Sequence, residues 1–236
     1  MQVKSFGCSF IFGSELADEN LARKNKMPAA QFSRLTWPAH FAAHLNCDYY
    51  CYARPGSGNL QIMERVLSHT AGAPVPDLYI IGWSWIDRFD YVNPQAVDYT
   101  PYGFWKTIMP IDTDSIAQNY YKDLHSECRD KLSTLVYIKL VIDTLVKKNV
   151  PFIMTYMDEL MFNTEWHTTP AIAELQNYIH PFMTKFDNMT FLDWSRKNKF
   201  PETAMWHPLE QAHQAAADYI IQVFDKKSIG AHCHLV

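Results

Sequence analysis

The sequence has no excess of positive charge and no long apolar run, and each shortage excludes a class of protein. Its 236 residues carry 21 lysines and arginines against 25 acidic residues, a formal charge of -4, so no basic field attracts nucleic acid. No run approaches the roughly 18 apolar residues of a membrane helix, and no basic-then-apolar leader precedes the first strand pattern. We therefore expect a cytoplasmic protein without nucleic-acid or membrane partners.

Cysteine is also scarce and shows no pairing pattern. The five cysteines are an odd number and lack C-x-x-C spacing, which is typical of reduced thiols and not of a disulfide framework: Cys8, Cys47, Cys51, Cys128 and Cys233. The tail His232-Cys233-His234 has metal-binding residue types, but three ligands on a chain end are too few to specify a site. We expect no metal and no organic cofactor.

The sequence does contain alternating strand and helix patterns. Its apolar fraction of 48% is ample for a core, and we expect a single domain over residues 1–236. Five apolar runs have strand length: Val3 to Cys8, Cys47 to Ala53, Asp77 to Gly82, Pro151 to Tyr156 and Met189 to Asp193. Because helices separate them, they predict an α/β fold with three layers, a doubly wound, five-stranded parallel sheet of flavodoxin-like order 2-1-3-4-5.

The segments between the strands carry weaker patterns. We predict a long loop from Ile11 to Arg34 with one helical turn, and an irregular lid or wall over residues 86–114. Thr36 is placed as an N-cap. Residues 115–148 have helical spacing that allows one break.

Four polar elements fall at the carboxyl edge of this predicted sheet, where such sheets bind ligands. They are Ser9 after the first strand, Gly56 to Asn59 after the second, Ser84 after the third, and His207 before the last helix. Serine chemistry needs a nucleophile, an imidazole that takes its proton, and donors for the developing oxyanion. The four elements contain all three.

With these residues the chain resembles the SGNH (GDSL-like) hydrolases, and especially a phage-associated branch whose first block reads F-G-C-S-F. The resemblance implies that Ser9 is the nucleophile and that His207 is the general base. It also implies that the Gly56 N–H belongs to the oxyanion hole. The third block is then Gly82-Trp83-Ser84-Trp85.

Two positions depart from the family pattern. Ser84 stands where the family has an oxyanion-binding asparagine, so the donor is expected to be either its shorter hydroxyl or the amide of Asn59. Ala204 stands where the family has an aspartate three residues before the histidine. Glu202, Asp193 or a backbone carbonyl remain as groups that orient His207, and we favour Glu202 because it lies in the same loop.

The third block is followed by candidate substrate-binding residues. Trp83, Trp85 and Arg88 fit a sugar or acyl platform, although aromatic clusters also form cores, and Arg88 has Asp87 as an alternative surface partner. His213 is interpreted as a packing or surface residue.

The sequence supports two main functions and one weaker one. The first is a serine esterase, with acetyl hydrolysis as one form, that acts on a small or carbohydrate-borne ester without a cofactor. The second is a binding or structural protein whose catalytic centre has decayed. A flavodoxin-type nucleotide or phosphate binder that uses Gly56 to Asn59 has no G-x-G-x-x-G or P-loop spacing to support it. The oligomeric state stays open.

Overall fold

The centre of the molecule is a parallel sheet of four strands. The computed structural model describes residues 1–25, 32–71, 77–95 and 104–229, with side chains described as far as residue 224. The strands of this sheet are β1 (Gln2–Phe6), β2 (Asp48–Cys51), β3 (Leu78–Trp83) and β6 (Phe152–Tyr156). The sheet has the order β2-β1-β3-β6, and each neighbouring pair is parallel. The predicted α/β class and the order of the first four strands are therefore confirmed.

Helices connect and cover these strands. The α-helices are α1 (Ser9–Phe12), α2 (Ala17–Lys24), α3 (Trp37–His44), α4 (Asn59–Ala71), α5 (Ser115–Asp123), α6 (Glu127–Lys147), α7 (Pro170–Ile179), α8 (Phe191–Lys197) and α9 (Glu210–Ile229). Two short 3-10 helices span Glu159–Phe162 and His180–Phe182. The break that the sequence allowed between residues 115 and 148 lies between α5 and α6, where the Ser126 hydroxyl accepts a hydrogen bond from the Arg129 N–H. No helix within the described ranges is both long and apolar enough to cross a membrane.

Both faces of the sheet are buried, as a parallel sheet with crossover helices requires. Along β3, Leu78 and Ile80 belong to one apolar cluster, and Tyr79 and Ile81 belong to the other. Successive side chains of a strand point to opposite faces, so these are the two sides of the sheet. Helices α3 and α9 contribute to the first cluster, whereas α4, α6 and α7 contribute to the second.

The predicted fifth strand, Met189 to Asp193, is wrong. The Thr190 hydroxyl accepts a hydrogen bond from the Asp193 N–H at 3.1 Å and caps α8, so the apolar residues that follow it are helical. Beside β6 lies instead a short stretch in which Met183 makes one parallel bridge to Met154 and the Thr184 N–H donates to the Met154 carbonyl at 2.7 Å. The fifth position of the sheet thus holds a single bridge.

The long segments around the site are more ordered than the sequence indicates. Residues 86–114 were expected to be irregular, but β4 (Phe89–Val92) and β5 (Trp105–Ile108) pair there as an antiparallel ribbon. The expected loop from Ile11 to Arg34 contains the end of α1 and all of α2. The Thr36 backbone precedes α3 as an N-cap, as predicted.

Candidate active site

Ser9 lies at the carboxyl edge of the sheet, in the first turn of α1. Two glycines allow α1 to approach the sheet closely. A Cβ on Gly7 would lie 2.6 Å from Ile11 Cγ1, and one on Gly82 would lie 2.5 Å from the same atom. Because both positions lack side chains, Ile11 packs over the ends of β1 and β3 and fixes the turn that carries Ser9. The Ser9 side chain remains only 6% exposed.

His207 reaches Ser9 from the other end of the chain. Its Nε2 lies 2.9 Å from the Ser9 Oγ, although the two residues are 198 positions apart. The loop of His207 is closed on itself, because the His207 N–H donates to the Thr203 hydroxyl at 3.2 Å and the Thr203 N–H donates to the His207 carbonyl at 2.9 Å. The Phe10 ring contacts the imidazole edge-on at a centroid distance of 5.2 Å. The closed loop thus fixes the backbone of His207, and the Phe10 ring packs against its imidazole.

Glu15 completes the chain of hydrogen bonds. Its Oε2 lies 2.6 Å from His207 Nδ1 and also accepts a 2.7 Å hydrogen bond from the Thr203 hydroxyl. The Thr203 hydroxyl, followed by His207, lowers the pKa of the Glu15 carboxyl below its ordinary value. An ionised carboxylate only accepts, so Nδ1 carries the proton and Nε2 is free to accept from Ser9.

Glu15 takes the place that the sequence analysis assigned to Glu202. The Glu202 carboxylate pairs with Arg196 at 3.0 Å on the surface. The Asp193 carboxylate accepts from the Thr190 hydroxyl at 2.7 Å and belongs to the cap of α8. Ala204 is exposed. Glu15 was missed because it falls in a segment without a recognised pattern. Its one signal was that it is a carboxylate six residues after the proposed nucleophile.

Of the three residues predicted to form the oxyanion hole, the structure places one in the lining of the Ser9 cleft. Gly56 lines the same cleft as Ser9. The Asn59 amide instead holds the loop after β3: its Oδ1 accepts from the Ser84 N–H at 2.8 Å, and its Nδ2 donates to the Ser84 and Trp85 carbonyls. The Ser84 hydroxyl is buried without a hydrogen-bond partner among the described residues. Neither Asn59 nor Ser84 belongs to the described lining of the cleft.

Of the three predicted substrate-binding residues, two line the cleft and one lies in the core. Trp83 is fully buried in the cluster on the α4 and α6 side of the sheet, so its prediction as a cleft residue is wrong. Trp85 and Arg88 both line the cleft. The Arg88 guanidinium lies 4.8 Å from the centre of the Trp85 ring and donates to the Ser57 carbonyl at 3.1 Å. Asp87 lines the cleft beside them, and burial raises the pKa of its carboxyl.

His213 is a packing residue. It is buried, and its Nδ1 accepts a 3.2 Å hydrogen bond from the Trp37 N–H at the start of α3. Burial, followed by the nearby His40 and His207, lowers the pKa of His213 to about 3. The tail His232-Cys233-His234 lies outside the described residues, and the four cysteines within them are free thiols.

The cleft around Ser9 has a volume of about 500 Å³, within the range of small-molecule sites. Its walls are mainly apolar, formed by Phe10, Trp85, Met109, Pro110, Ile111, Met205 and Trp206. Its ionisable members are Glu15, Arg23, Asp87, Arg88 and His207. A hydroxyl, an imidazole and a carboxylate in hydrogen-bond contact at the base of such a cleft can activate the hydroxyl as a nucleophile.

Solved structures share this fold. A member of the lipolytic protein G-D-S-L family from Veillonella parvula matches with a TM-score of 0.50 and 12% identity, over 95% of this chain and 98% of that chain. The psychrotrophic esterase EstA from Pseudoalteromonas sp. matches with a TM-score of 0.50 and 8% identity, over 98% of this chain and all of the other. No protein-family model matches the sequence, and no curated protein is significantly similar to it. At these identities the likeness establishes the α/β fold that the chains share.

Proposed function

We propose that this protein is a serine esterase of the SGNH type that hydrolyses an acyl ester through Ser9. The observation that carries the proposal is the continuous contact from Glu15 to His207 Nδ1 at 2.6 Å and from His207 Nε2 to Ser9 Oγ at 2.9 Å. Each distance is within hydrogen-bond reach, and the order of groups is the one that activates a serine.

The proposed reaction has two halves. In the first, His207 Nε2 takes the Ser9 hydroxyl proton while Oγ attacks the ester carbonyl carbon, and the tetrahedral intermediate then releases the alcohol, which receives that proton. In the second, His207 takes a proton from water, the hydroxide attacks the acyl-Ser9 carbonyl, and the acid leaves as Ser9 recovers its proton. Glu15 stabilises the imidazolium in both halves.

The oxyanion donors in this proposal are backbone groups. The N–H groups of Ser9 and Gly56 are the expected pair, since both residues lie at the cleft. The Asn59 amide is engaged with the loop after β3, and Ser84 is not part of the described cleft lining, so the proposal assigns no third donor of the family type. The Arg88 guanidinium also lines the cleft.

The proposed substrate is a small or carbohydrate-borne ester, with an acetyl ester as one candidate. A cleft of about 500 Å³ accepts such a molecule, and its aromatic and methionine walls suit an acyl chain or a ring. The shared fold with the esterase EstA is consistent with ester hydrolysis. The phage-associated branch, the single domain over residues 1–236 and the cytoplasmic location remain predictions from the sequence.

The competing function is a binding protein that keeps the fold without turnover. Ser84 favours it, because its hydroxyl is buried without a hydrogen-bond partner among the described residues and Ser84 is not part of the described cleft lining, so nothing replaces the family's asparagine there. Phosphate binding by the turn from Gly56 to Asn59 has less support, because the Gly58 and Gln61 N–H groups donate to the Asp90 carboxylate, at 3.0 Å each.

A fluorophosphonate probe together with p-nitrophenyl acetate separates enzyme from binder. We expect the wild type to be labelled and to hydrolyse the ester, and Ser9→Ala to lose both properties. Ser68→Ala, at an exposed serine of α4, serves as the matched control and should retain both. A wild type that is folded by circular dichroism but neither labelled nor active would favour the binding protein.

A further inference from the structure

The mouth of the Ser9 cleft exposes apolar side chains to water. Ile111 is 74% exposed, and Met205 and Trp206 are each 61% exposed. All three line the cleft and form its apolar rim. A single exposed apolar residue is ordinary on a protein surface, but a group of them around one opening is typical of a binding surface. The proposed proton transfers at Ser9 do not use these three side chains.

Ile111 is presented by a closed turn after β5. The Asp112 N–H donates to the Met109 carbonyl at 2.9 Å, and the Asp112 carboxylate accepts from the Met109 N–H at 2.8 Å. These two bonds hold Pro110 and Ile111 at the tip of the turn, where both are exposed. Turn tips favour glycine, proline, asparagine, aspartate and serine, so the requirements of the turn do not explain an exposed isoleucine.

Met205 and Trp206 are presented by the loop of His207, which Thr203 closes. The Thr203 hydroxyl accepts from the Met205 N–H and the His207 N–H, at 3.2 Å each. The Thr203 carbonyl accepts from the Trp206 N–H at 3.0 Å. The backbone that carries both apolar side chains is therefore fixed relative to that of His207. A group bound against them has a set position relative to the imidazole.

Trp206 is an unusual residue for its position. All seven tryptophans belong to the described residues, and Trp206 is the only exposed one. Its φ of 63° is left-handed, a conformation that is strained for a bulky residue and that glycine or asparagine adopts more readily. The Arg196 guanidinium, paired with Glu202, lies over the ring at 5.9 Å from its centre. Neither backbone preference nor burial therefore accounts for a tryptophan here, whereas contact with a ligand does.

The arginines of the cleft are engaged by the protein itself. The Arg23 guanidinium donates to both carboxylate oxygens of the buried Glu19, at 2.7 and 2.8 Å. The Arg88 guanidinium donates to the Ser57 carbonyl at 3.1 Å and lies 4.8 Å from the centre of the Trp85 ring. Apolar side chains are therefore the larger part of the surface that a substrate meets. An acetyl group alone leaves most of the cleft, about 500 Å³, empty.

We propose that Trp206, with Met205 and Ile111, binds an apolar group of the ester that Ser9 attacks, a hydrocarbon chain or ring larger than an acetyl group. The inference rests on the proposed function and narrows its substrate class to esters with a hydrophobic acyl or alcohol part. Each methylene that the apolar rim removes from water strengthens binding by up to roughly fourfold. This contact takes no part in bond breaking, so it acts mainly on KM.

The test lengthens the apolar group on one side of the ester at a time. p-Nitrophenyl acetate, butyrate and hexanoate vary the acyl side, and ethyl, butyl and hexyl acetate vary the alcohol side, all at concentrations where they do not aggregate. We expect kcat/KM to rise by roughly tenfold or more along one series, through a lower KM. The series that shows the rise identifies the part of the ester that contacts the apolar rim.

The decisive variant is Trp206→Asn, which removes the ring and suits the left-handed backbone. We expect the ratio of kcat/KM between the longest and the shortest ester of that series to fall by roughly fivefold, while the urea midpoint stays the same or rises. Ile111→Ser, in the other turn, should lower the same ratio without any change at residue 206. Leu124→Asn, at an exposed residue outside the described lining of the cleft, is the control and should keep the ratio.

Several results would overturn the apolar rim as a substrate site while ester hydrolysis stands. Equal kcat/KM along both series is one, and an unchanged ratio in Trp206→Asn is another. If that unchanged ratio came with a lower urea midpoint, the ring would serve the fold, and if it came with loss of a dimer, the ring would serve a contact between copies. An effect of Trp206→Asn confined to an acetylated glucoside would make the ring a sugar platform instead. Absence of all hydrolysis and of Ser9 labelling would overturn the proposed function as well.

Discussion

The acid of the candidate triad is carried by the same short segment as the nucleophile. Glu15 follows Ser9 by six residues and has a left-handed backbone, with φ of 69°, a conformation that few residues other than glycine adopt. The turn brings the carboxylate to His207 and Thr203 together. Only the histidine then comes from a distant part of the chain.

Replacing Glu15 by glutamine should lower kcat by up to about 10⁴, the scale seen when a triad aspartate becomes asparagine. Glutamine keeps the shape of the side chain, but it removes the charge that stabilises the imidazolium and allows the wrong imidazole tautomer. The measurement is kcat with p-nitrophenyl acetate, with fluorophosphonate labelling as a second readout.

The matched control for this prediction is Glu202→Gln, which we expect to keep full activity. Its carboxylate is engaged with Arg196 in an exposed pair, and such pairs contribute at most about 1 kcal/mol. Ala204→Asp should also change little, because His207 Nδ1 is already bound. A large loss of kcat in Glu202→Gln, together with an unchanged kcat in Glu15→Gln, would show that Glu202 and not Glu15 orients His207.

Sequence reasoning picked out Ser9 and His207, which the structure brings into contact, and did not pick out Glu15. Ser9 and His207 stand in short blocks of fixed order, so they are recognisable from residue type and spacing. The contact between Glu15 and His207 joins residues 192 positions apart, and no local pattern encodes it. The residue types at Asn59 and Ser84 gave equally little indication that neither residue belongs to the described lining of the cleft.

At the scale of elements, Asp90 joins the ribbon β4–β5 to the start of α4. Its carboxylate accepts four hydrogen bonds: two from the backbone N–H groups of Gly58 and Gln61, and two from the side chains of Gln61 and Thr107. Asp90 therefore stabilises both the segment that follows Gly56 and the β4–β5 ribbon, which leads to Met109 at the cleft. Burial raises the pKa of Asp90, and these donors oppose the rise.

Asp90→Asn should destabilise the protein by about 1–3 kcal/mol, because the new amide directs a donor at groups that are themselves donors. We also expect kcat to fall more than KM rises, because the substitution displaces Gly56, a proposed oxyanion donor, while the apolar walls of the cleft remain. Urea unfolding gives the first quantity and steady-state kinetics the second. Asp123→Asn, at an exposed position of α5, is the control. An unchanged kcat in Asp90→Asn would show that Asp90 does not position Gly56.

The elements themselves were predictable where apolar periodicity dominates. The strands β3 and β6 are short, mainly apolar runs that the sequence shows directly. The run from Met189 to Asp193 also looked like a strand, but the Thr190 cap and the burial of Phe191, Trp194 and Ser195 at helical spacing make it the start of α8. Short apolar runs carry both patterns, and tertiary packing decides between them.

At the scale of the whole molecule, His213 ties stability to pH. It lies in α9, and its neutral imidazole accepts from the first N–H of α3, between two helices that cover one face of the sheet. The pKa of His213 is about 3 in the folded protein, against an ordinary value of 6.5. The unfolded chain therefore binds a proton below pH 6.5, whereas the folded protein does not bind it until about pH 3.

The free energy of unfolding should consequently fall with acidification by about 1.4 kcal/mol per pH unit from this group, within that window. Above pH 6.5 His213 contributes no slope. His213→Asn keeps an acceptor for the Trp37 N–H and cannot titrate, so its stability should vary less between pH 6.5 and 4.5. Urea unfolding at several pH values measures the difference between the two proteins, and parallel curves would show that His213 takes up its proton at the same pH in the folded and the unfolded protein.

The separation of Ser9 and Glu15 from His207 also orders events during synthesis. All four strands of the central sheet end by Tyr156, so a ribosome has delivered the sheet, Ser9 and Glu15 before it reaches His207. The later stretch brings His207 and then α9, whose residues Ala212, Ala216 and Ile220 help to close one face of the sheet. Domains fold as their chain becomes available, so the proposed nucleophile of a nascent chain lacks its proposed base until residue 207 has emerged. In the proposed enzyme, the appearance of activity would thus follow the docking of the His207 loop and α9.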